Sequence, residues 1–196
     1  PYMSPSAFAG NELLIDLTQL RDSGWLAAAN IEPDPLFCDD RVNYPATKTF
    51  RLTRLRMAAE RFFAEVRHPS HSAYLSFCDK AKDWLDDYAL FMALDKRYGG
   101  HGKVWQDWPA PLAKRKPNAL SEAAAALVGE CNFWKFCQWC FHSQWMTLKN
   151  YANTKGIEII GDMPIFVSSH SADVWANQKL FDLDGKGQPR FVAGVP

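Results

Sequence analysis

No charge of either sign is in excess in this chain: 22 lysines and arginines face 22 aspartates and glutamates. Without a net field there is nothing to concentrate a polyanion, so composition argues against nucleic acid as a partner. No apolar run reaches the roughly 18 residues that would suggest a membrane span. The five cysteines, Cys38, Cys78, Cys131, Cys137 and Cys140, cannot form an even disulfide framework, and nothing at the start resembles a signal peptide. A reducing, cytoplasmic setting is therefore expected. There is no internal repeat and no low-complexity tract. The first residue is proline rather than methionine, and the last is the proline of "VAGVP". The chain is expected to be a piece of a longer protein.

What is present is material for a core. Of the 196 residues 47% are apolar, enough for one large domain or two small ones. Aromatic residues make up 14%, with eight tryptophans, and flat aromatic faces serve both packing and sugar stacking. The expected partner is a neutral molecule or another protein.

Periodicity divides the chain. The opening "PYMSPSAFAGNELLIDLTQL" reads as a loop of small residues, then a short apolar run, Leu13 to Leu17, before a possible helix to Leu20. Pro33 and Pro35 force an extended segment. From about Thr47, Phe50, Leu52, Leu55, Ala58, Ala59, Phe62, Phe63 and Val66 recur at threes and fours, which predicts a helix ended by "HPSHS". A second helix is predicted from about Ser72 to the glycines at 99 and 100. The Trp-rich, Pro-punctuated stretch 101–120 reads as an ordered loop, with its "AKRKP" solvated. A long helix is predicted from Ser121 to about Lys155, closed by Gly156. Only then come strand candidates: "IEIIGDMPIFV" at 157–167, and a hairpin of "LFDL", a turn "DGKG" and "PRFVAGV". A helical segment between strand candidates predicts a helical subdomain inserted into an α/β framework.

Few clusters carry chemistry. "CQWCFH" lacks the spacing for haem attachment and the second ligand pair for zinc, so Cys137 and Cys140 are read as core cysteines. "DLDGKG" lacks the further oxygens of a calcium loop, and a hairpin turn is favoured. "PSHS", "SSHS" and Ser6 have no nucleophile-elbow context. Asp162 differs, being a carboxylate set near the end of a strand-like run. Active sites gather at such strand ends, although an aspartate holding a neighbouring loop would fit the pattern equally well.

Four segments carry a resemblance: "PYMSPSAFAGNELLIDL", "WLDDYALFMAL", "FWKFCQWCFHSQWMTLKNYANTKGIEIIGDMPIFV" and "SADVWANQKLFDLDGKGQPRFVAGVP". They run in order over nearly the whole chain and resemble the 4-alpha-glucanotransferases known as amylomaltases or disproportionating enzymes, the retaining alpha-glucan family seventy-seven. The resemblance implies an α/β fold, part of a (β/α)8 TIM barrel with an inserted helical subdomain and a small β-rich insertion after strand three. It implies barrel segment with a donor-site loop at residues 1–46, the helical subdomain at 47–155, and barrel strand three with the start of the insertion at 156–196. The implied reaction moves a segment of an alpha-1,4-glucan to the 4-hydroxyl of another glucan or glucose by retaining double displacement, with maltooligosaccharides and other alpha-1,4-glucans as partners and no metal or cofactor. Such chemistry needs a nucleophilic carboxylate and an acid/base carboxylate. In the family these lie on strands four, five and seven, so no catalytic residue is expected in this chain.

Three substrate-site residues carry over. Tyr2 matches the tyrosine that stacks on the transferred sugar. Asp162 matches the strand-three aspartate that contacts an arginine beside the nucleophile. Tyr44 matches an aromatic of a second glucan-binding groove, although Asn43 and Pro45 depart from the family's pattern around it, as His170 does in "VSSHSADVW". Trp105 and Trp108 are candidate sugar contacts that packing would explain as well. "VAGVP" begins a mobile loop over the site. The rival from another class is a non-catalytic alpha-glucan-binding module.

Overall fold

The computed structural model describes residues 4–33, 37, 40–65, 67–162, 164 and 166–191. Its regular elements are helices: α1 (Leu17–Asp22), α2 (Tyr44–Ala64), α3 (Ser70–Tyr98), α4 (Ala110–Ala113), α5 (Pro117–Ala126), α6 (Val128–Thr154) and α7 (Ala172–Ala176), with short 3-10 turns between them. The chain separates into two compact units, one holding residues 10–79 and 136–159, the other residues 1–9, 80–135 and 160–196. The long helices α3 and α6 each contribute residues to both.

The unit of residues 10–79 and 136–159 is organised around Phe62. Leu55, Ala58, Ala59 and Phe62 fall at threes and fours on α2 and are buried, as the apolar spacing predicts. Trp25 meets the Phe62 ring edge-on at 5.2 Å, and the His71 ring lies parallel to it at 4.2 Å. With Phe62 at 0% exposure, its burial alone contributes roughly 1.5–3 kcal/mol. The α2 arginines fasten adjoining loops: Arg54 donates to the Asn30 carbonyl at 3.0 Å and Arg61 to that of Gly24 at 3.3 Å.

The same unit explains the departures at Asn43 and Pro45. Asn43 Oδ1 accepts the Ala46 N–H at 3.2 Å, which makes Asn43 the N-cap of α2. Pro45 lies in the first helical turn, where its missing N–H costs nothing. The helix therefore starts at Tyr44 rather than near Thr47.

In the other unit the core is aromatic. Phe91 of α3 lies 5.3 Å from Trp108, 5.2 Å from His170 and 5.9 Å from Trp175, ring centre to ring centre. Trp105 and Trp108 are 1% and 3% exposed, so packing rather than sugar contact accounts for both indole rings. The stretch read as a loop holds them on 3-10 turns and the four-residue α4. Gly99, just past the end of α3, has no room for a side chain: an added Cβ would lie 2.3 Å from Asp95 Oδ1 and 2.6 Å from the Asp95 carbonyl oxygen.

The helix predicted from Ser121 begins earlier, with Pro117 in its first turn, and is interrupted at Leu127, which divides α5 from α6. Gly156 closes α6 with φ +73°, and the Ile157 N–H returns to the Ala152 carbonyl at 3.0 Å.

The strand expectations need correction. None of the described residues of 157–167 forms a strand, and among the described residues of the hairpin arms there is a single antiparallel bridge, between Leu183 and Pro189. A strand exists only through ladder bonds to a neighbour, and apolar periodicity cannot supply that neighbour. The turn itself is present. Asp184 N–H donates to the Gln188 carbonyl at 2.8 Å, and Asp184 Oδ1 accepts the N–H groups of Lys186 and Gln188 at 2.8 and 2.9 Å.

Candidate functional site

Tyr2 and the closing "VAGV" and Pro196 lie outside the described residues, but the loop that follows Tyr2 is held at several points. The Ser6 hydroxyl donates to Asp173 Oδ1 at 3.1 Å, and the Ala7 N–H donates to Asp173 Oδ2 at 2.7 Å. The Ala172 N–H donates to the Pro5 carbonyl at 2.8 Å. Ser6 Oγ also accepts the Phe8 N–H at 3.1 Å, while Ser4 Oγ donates to the Ser6 carbonyl at 2.7 Å. "SPSAF" and "SADVW", more than 160 positions apart in sequence, thus meet as one hydrogen-bonded assembly.

Local sequence explains why Asp173 can do this. Ser171 is the N-cap of α7, its hydroxyl accepting the Val174 N–H at 3.2 Å. That fixes Asp173 in the first turn, with both carboxylate oxygens turned to the loop. Behind it Trp175 is 0% exposed and donates its indole N–H to the Leu112 carbonyl at 3.1 Å. Arg115 lies 4.3 Å over the Trp175 ring and is held there by Asp87 at 2.7 Å.

His170, the departure in the same motif, is a structural joint. Its Nδ1 accepts the Trp105 N–H at 3.1 Å, so the ring proton sits on Nε2, which donates to Asp95 Oδ1 at 2.9 Å. Cys137 and Cys140 are buried, as read from the sequence, and burial pushes the Cys140 thiol well above its ordinary value. Among the described residues no three histidines, cysteines or carboxylates cluster as a metal would require, and no helix is long and apolar enough to cross a membrane.

Asp162 is exposed and follows Ile157, Ile159 and Ile160, which are 58%, 38% and 91% exposed. It belongs to the unit that contains Ser6 and Asp173. Tyr44, the first residue of α2, is 72% exposed and belongs to the other unit. Sequence reasoning missed Asp173. The signal available was Ser171 followed by an acidic residue in the first turn of a short apolar helix, which marks a helix start but not the loop it grips.

Comparisons with known proteins agree over the full chain. The family model described as 4-alpha-glucanotransferase matches residues 1–196. A 4-alpha-glucanotransferase of Thermus thermophilus is 45% identical over 196 residues, covering 100% of this chain and 38% of that protein. One from Synechocystis sp. is 37% identical over 197 residues, covering 100% of this chain and 39% of that protein. A solved structure described as amylomaltase from Streptococcus agalactiae in complex with acarbose matches with a TM-score of 0.91 at 36% identity, over 100% of this chain and 39% of that one. The chain therefore spans 38–39% of the length of these relatives.

Proposed function

The chain belongs to the 4-alpha-glucanotransferase family, and from that premise we propose that it is part of an enzyme that transfers a segment of an alpha-1,4-glucan to the 4-hydroxyl of another glucan or of glucose. The observation that carries this reading is the family match over residues 1–196. Within it, the assembly of Ser6, Ala7 and Asp173 supports a rigid donor-side loop.

In the whole protein, residues 1–46 and 156–196 belong to a (β/α)8 barrel and the start of its β-rich insertion, and 47–155 to a helical subdomain. Completing a barrel would give the run at 157–162 the neighbours that its exposed isoleucines lack. Tyr2 stacks on the sugar being transferred, an orienting contact worth having where reacting atoms must align. Asp162 holds an arginine beside the nucleophile, and Tyr44 offers its exposed ring to a second glucan groove. The nucleophile and the acid/base carboxylate lie beyond Pro196, in a site dry enough to favour a sugar acceptor over water. Five cysteines, an odd number that forms no even disulfide framework, suit the cytoplasm.

Incubating the full-length protein with maltotriose tests the reading. Glucose and maltooligosaccharides longer than the substrate should appear together. Hydrolysis without redistribution of chain length overturns the transferase, and glucan binding with no turnover substitutes the binding module.

A further inference from the structure

A cavity of about 530 Å3 is lined by residues 105–108 with Lys114, by Gln178, Lys179 and Phe181, and by the turn 183–188. All of these residues belong to one unit. The volume falls within the roughly 300–1,000 Å3 of sites that take one small molecule. Its walls are fixed before any ligand arrives. Trp105 Nε1 donates to the Ser169 carbonyl at 2.8 Å, Gln106 Nε2 to that of Gly187 at 3.0 Å, and Gln178 Nε2 to that of Ala113 at 2.8 Å. Gly187 takes φ +80° and leaves room for the Trp105 ring, whose Cη2 would lie 2.6 Å from an added Cβ.

The lining chooses the ligand. Lysines 114, 179 and 186 are interspersed with Asp107 and Asp184, so the charges nearly cancel and no strong field selects an anion. Asp184 engages the turn through Oδ1, which leaves Oδ2 for a further donor. Neighbouring donors and acceptors of both charge signs are matched by hydroxyl groups, which donate and accept at once. The half-buried ring of Phe181 adds an apolar face for the C–H side of a sugar ring.

We infer that this cavity, whose lining includes neither Tyr44 nor Asp162, is a saccharide-binding site that holds a neutral glucan by its hydroxyls. The choice of an alpha-1,4-glucan as that saccharide rests on the function proposed above.

The test titrates maltoheptaose into the 15N-labelled full-length protein and follows the assigned Trp108 indole N–H resonance. It should move saturably, and Phe181→Ala and the exposed Lys179→Ala should each weaken the response by up to about tenfold. An indole resonance that stays in place up to the solubility limit of the sugar overturns the site, as does a shift that neither variant alters. Redistribution of maltotriose, assayed separately, keeps the two proposals apart. An enzyme that redistributes chain lengths while Trp108 stays still loses only this cavity as a site. A protein whose Trp108 responds but which redistributes nothing loses only the transferase.

Discussion

Replacing Asp173 by alanine should release the loop that follows Tyr2. Asp173 takes two bonds of unequal quality. The Ala7 N–H reaches Oδ2 at 2.7 Å, the short end for a charge-assisted bond and worth about 1.5–2 kcal/mol. The Ser6 hydroxyl reaches Oδ1 at 3.1 Å, long for a hydroxyl on a carboxylate, and is worth about 1 kcal/mol. Because Ala7 is exposed, water recovers part of the first term, whereas Ser6 is 3% exposed and its hydroxyl would lose its acceptor in a nearly dry place. The sum is a loss of about 2 kcal/mol, or roughly 1 M in urea midpoint at a slope of about 2 kcal/mol/M. Urea unfolding of Asp173→Ala, Ser6→Ala and the double variant measures it. The Ser6 and Asp173 effects should couple by about 1 kcal/mol, and the Ala7 amide should lose hydrogen-exchange protection. If Asp173→Ala costs under about 0.5 kcal/mol, or the two single effects simply add, the carboxylate does not hold the loop.

Two glycines with similar positive φ should respond differently to alanine. Gly156→Ala, at φ +73° with nothing within 4 Å, should cost about 1 kcal/mol, whereas Gly187→Ala, at φ +80° against Trp105, should cost about 2–4 kcal/mol by thermal or urea unfolding. The backbone N–H groups of Gln188 and Lys186 hold the Asp184 carboxyl below its usual value. The turn's support from this group is thus complete above the unfolded value, about 3.9, and lost as pH falls through the lower folded one; the Lys186 and Gln188 amide shifts should titrate with a midpoint below about 3.9. A midpoint above that value would contradict the assignment. Burial keeps the Cys140 thiol protonated, so brief iodoacetamide treatment at neutral pH should spare Cys140 and label the more accessible Cys78 first, as read by peptide mass mapping.

The helices were legible because each carries its own evidence. Leu55, Ala58, Ala59 and Phe62 declare the buried face of α2 by spacing alone, and Gly156 marks the end of α6 with the positive φ that glycine tolerates. Boundaries slipped where a residue acts in more than one capacity. Asn43 and Pro45 stood out only as departures from a pattern, yet they start a helix, and Ser121 resembled a cap while Pro117 began the turn. The strand reading at 157–167 rested on composition, which reports a preference for burial and not the presence of a partner. The assembly of Ser6 and Asp173 was not legible. Ser6 and Asp173 are 167 positions apart, and nothing local to either names the other.

The same physics explains how the segment after the first motif is held without a sheet. Gly10 donates its N–H to Gln138 Oε1 at 2.8 Å and accepts from Gln138 Nε2 at 3.0 Å. Six residues further along both segments, Asp16 and Gln144 repeat the arrangement at 2.7 and 3.1 Å. A primary amide is the side-chain group that presents a donor and an acceptor in one plane, as a neighbouring strand's peptide would. Aspartate or glutamate would set an oxygen against the backbone carbonyl, and lysine could not accept. The pairing also demands close approach. A Cβ on Gly10 would lie 2.0 Å from Phe141 Cδ1, so the glycine of "FAGN" is required for space. Gln138 is 2% exposed, and leucine there would leave both groups of the half-buried Gly10 without their partners. Glutamines at 138 and 144 on α6 therefore supply, from side chains, the two-bond pairing that strands obtain from backbone. That is why the run from Gly10 to Asp16 can be well fixed while forming no strand.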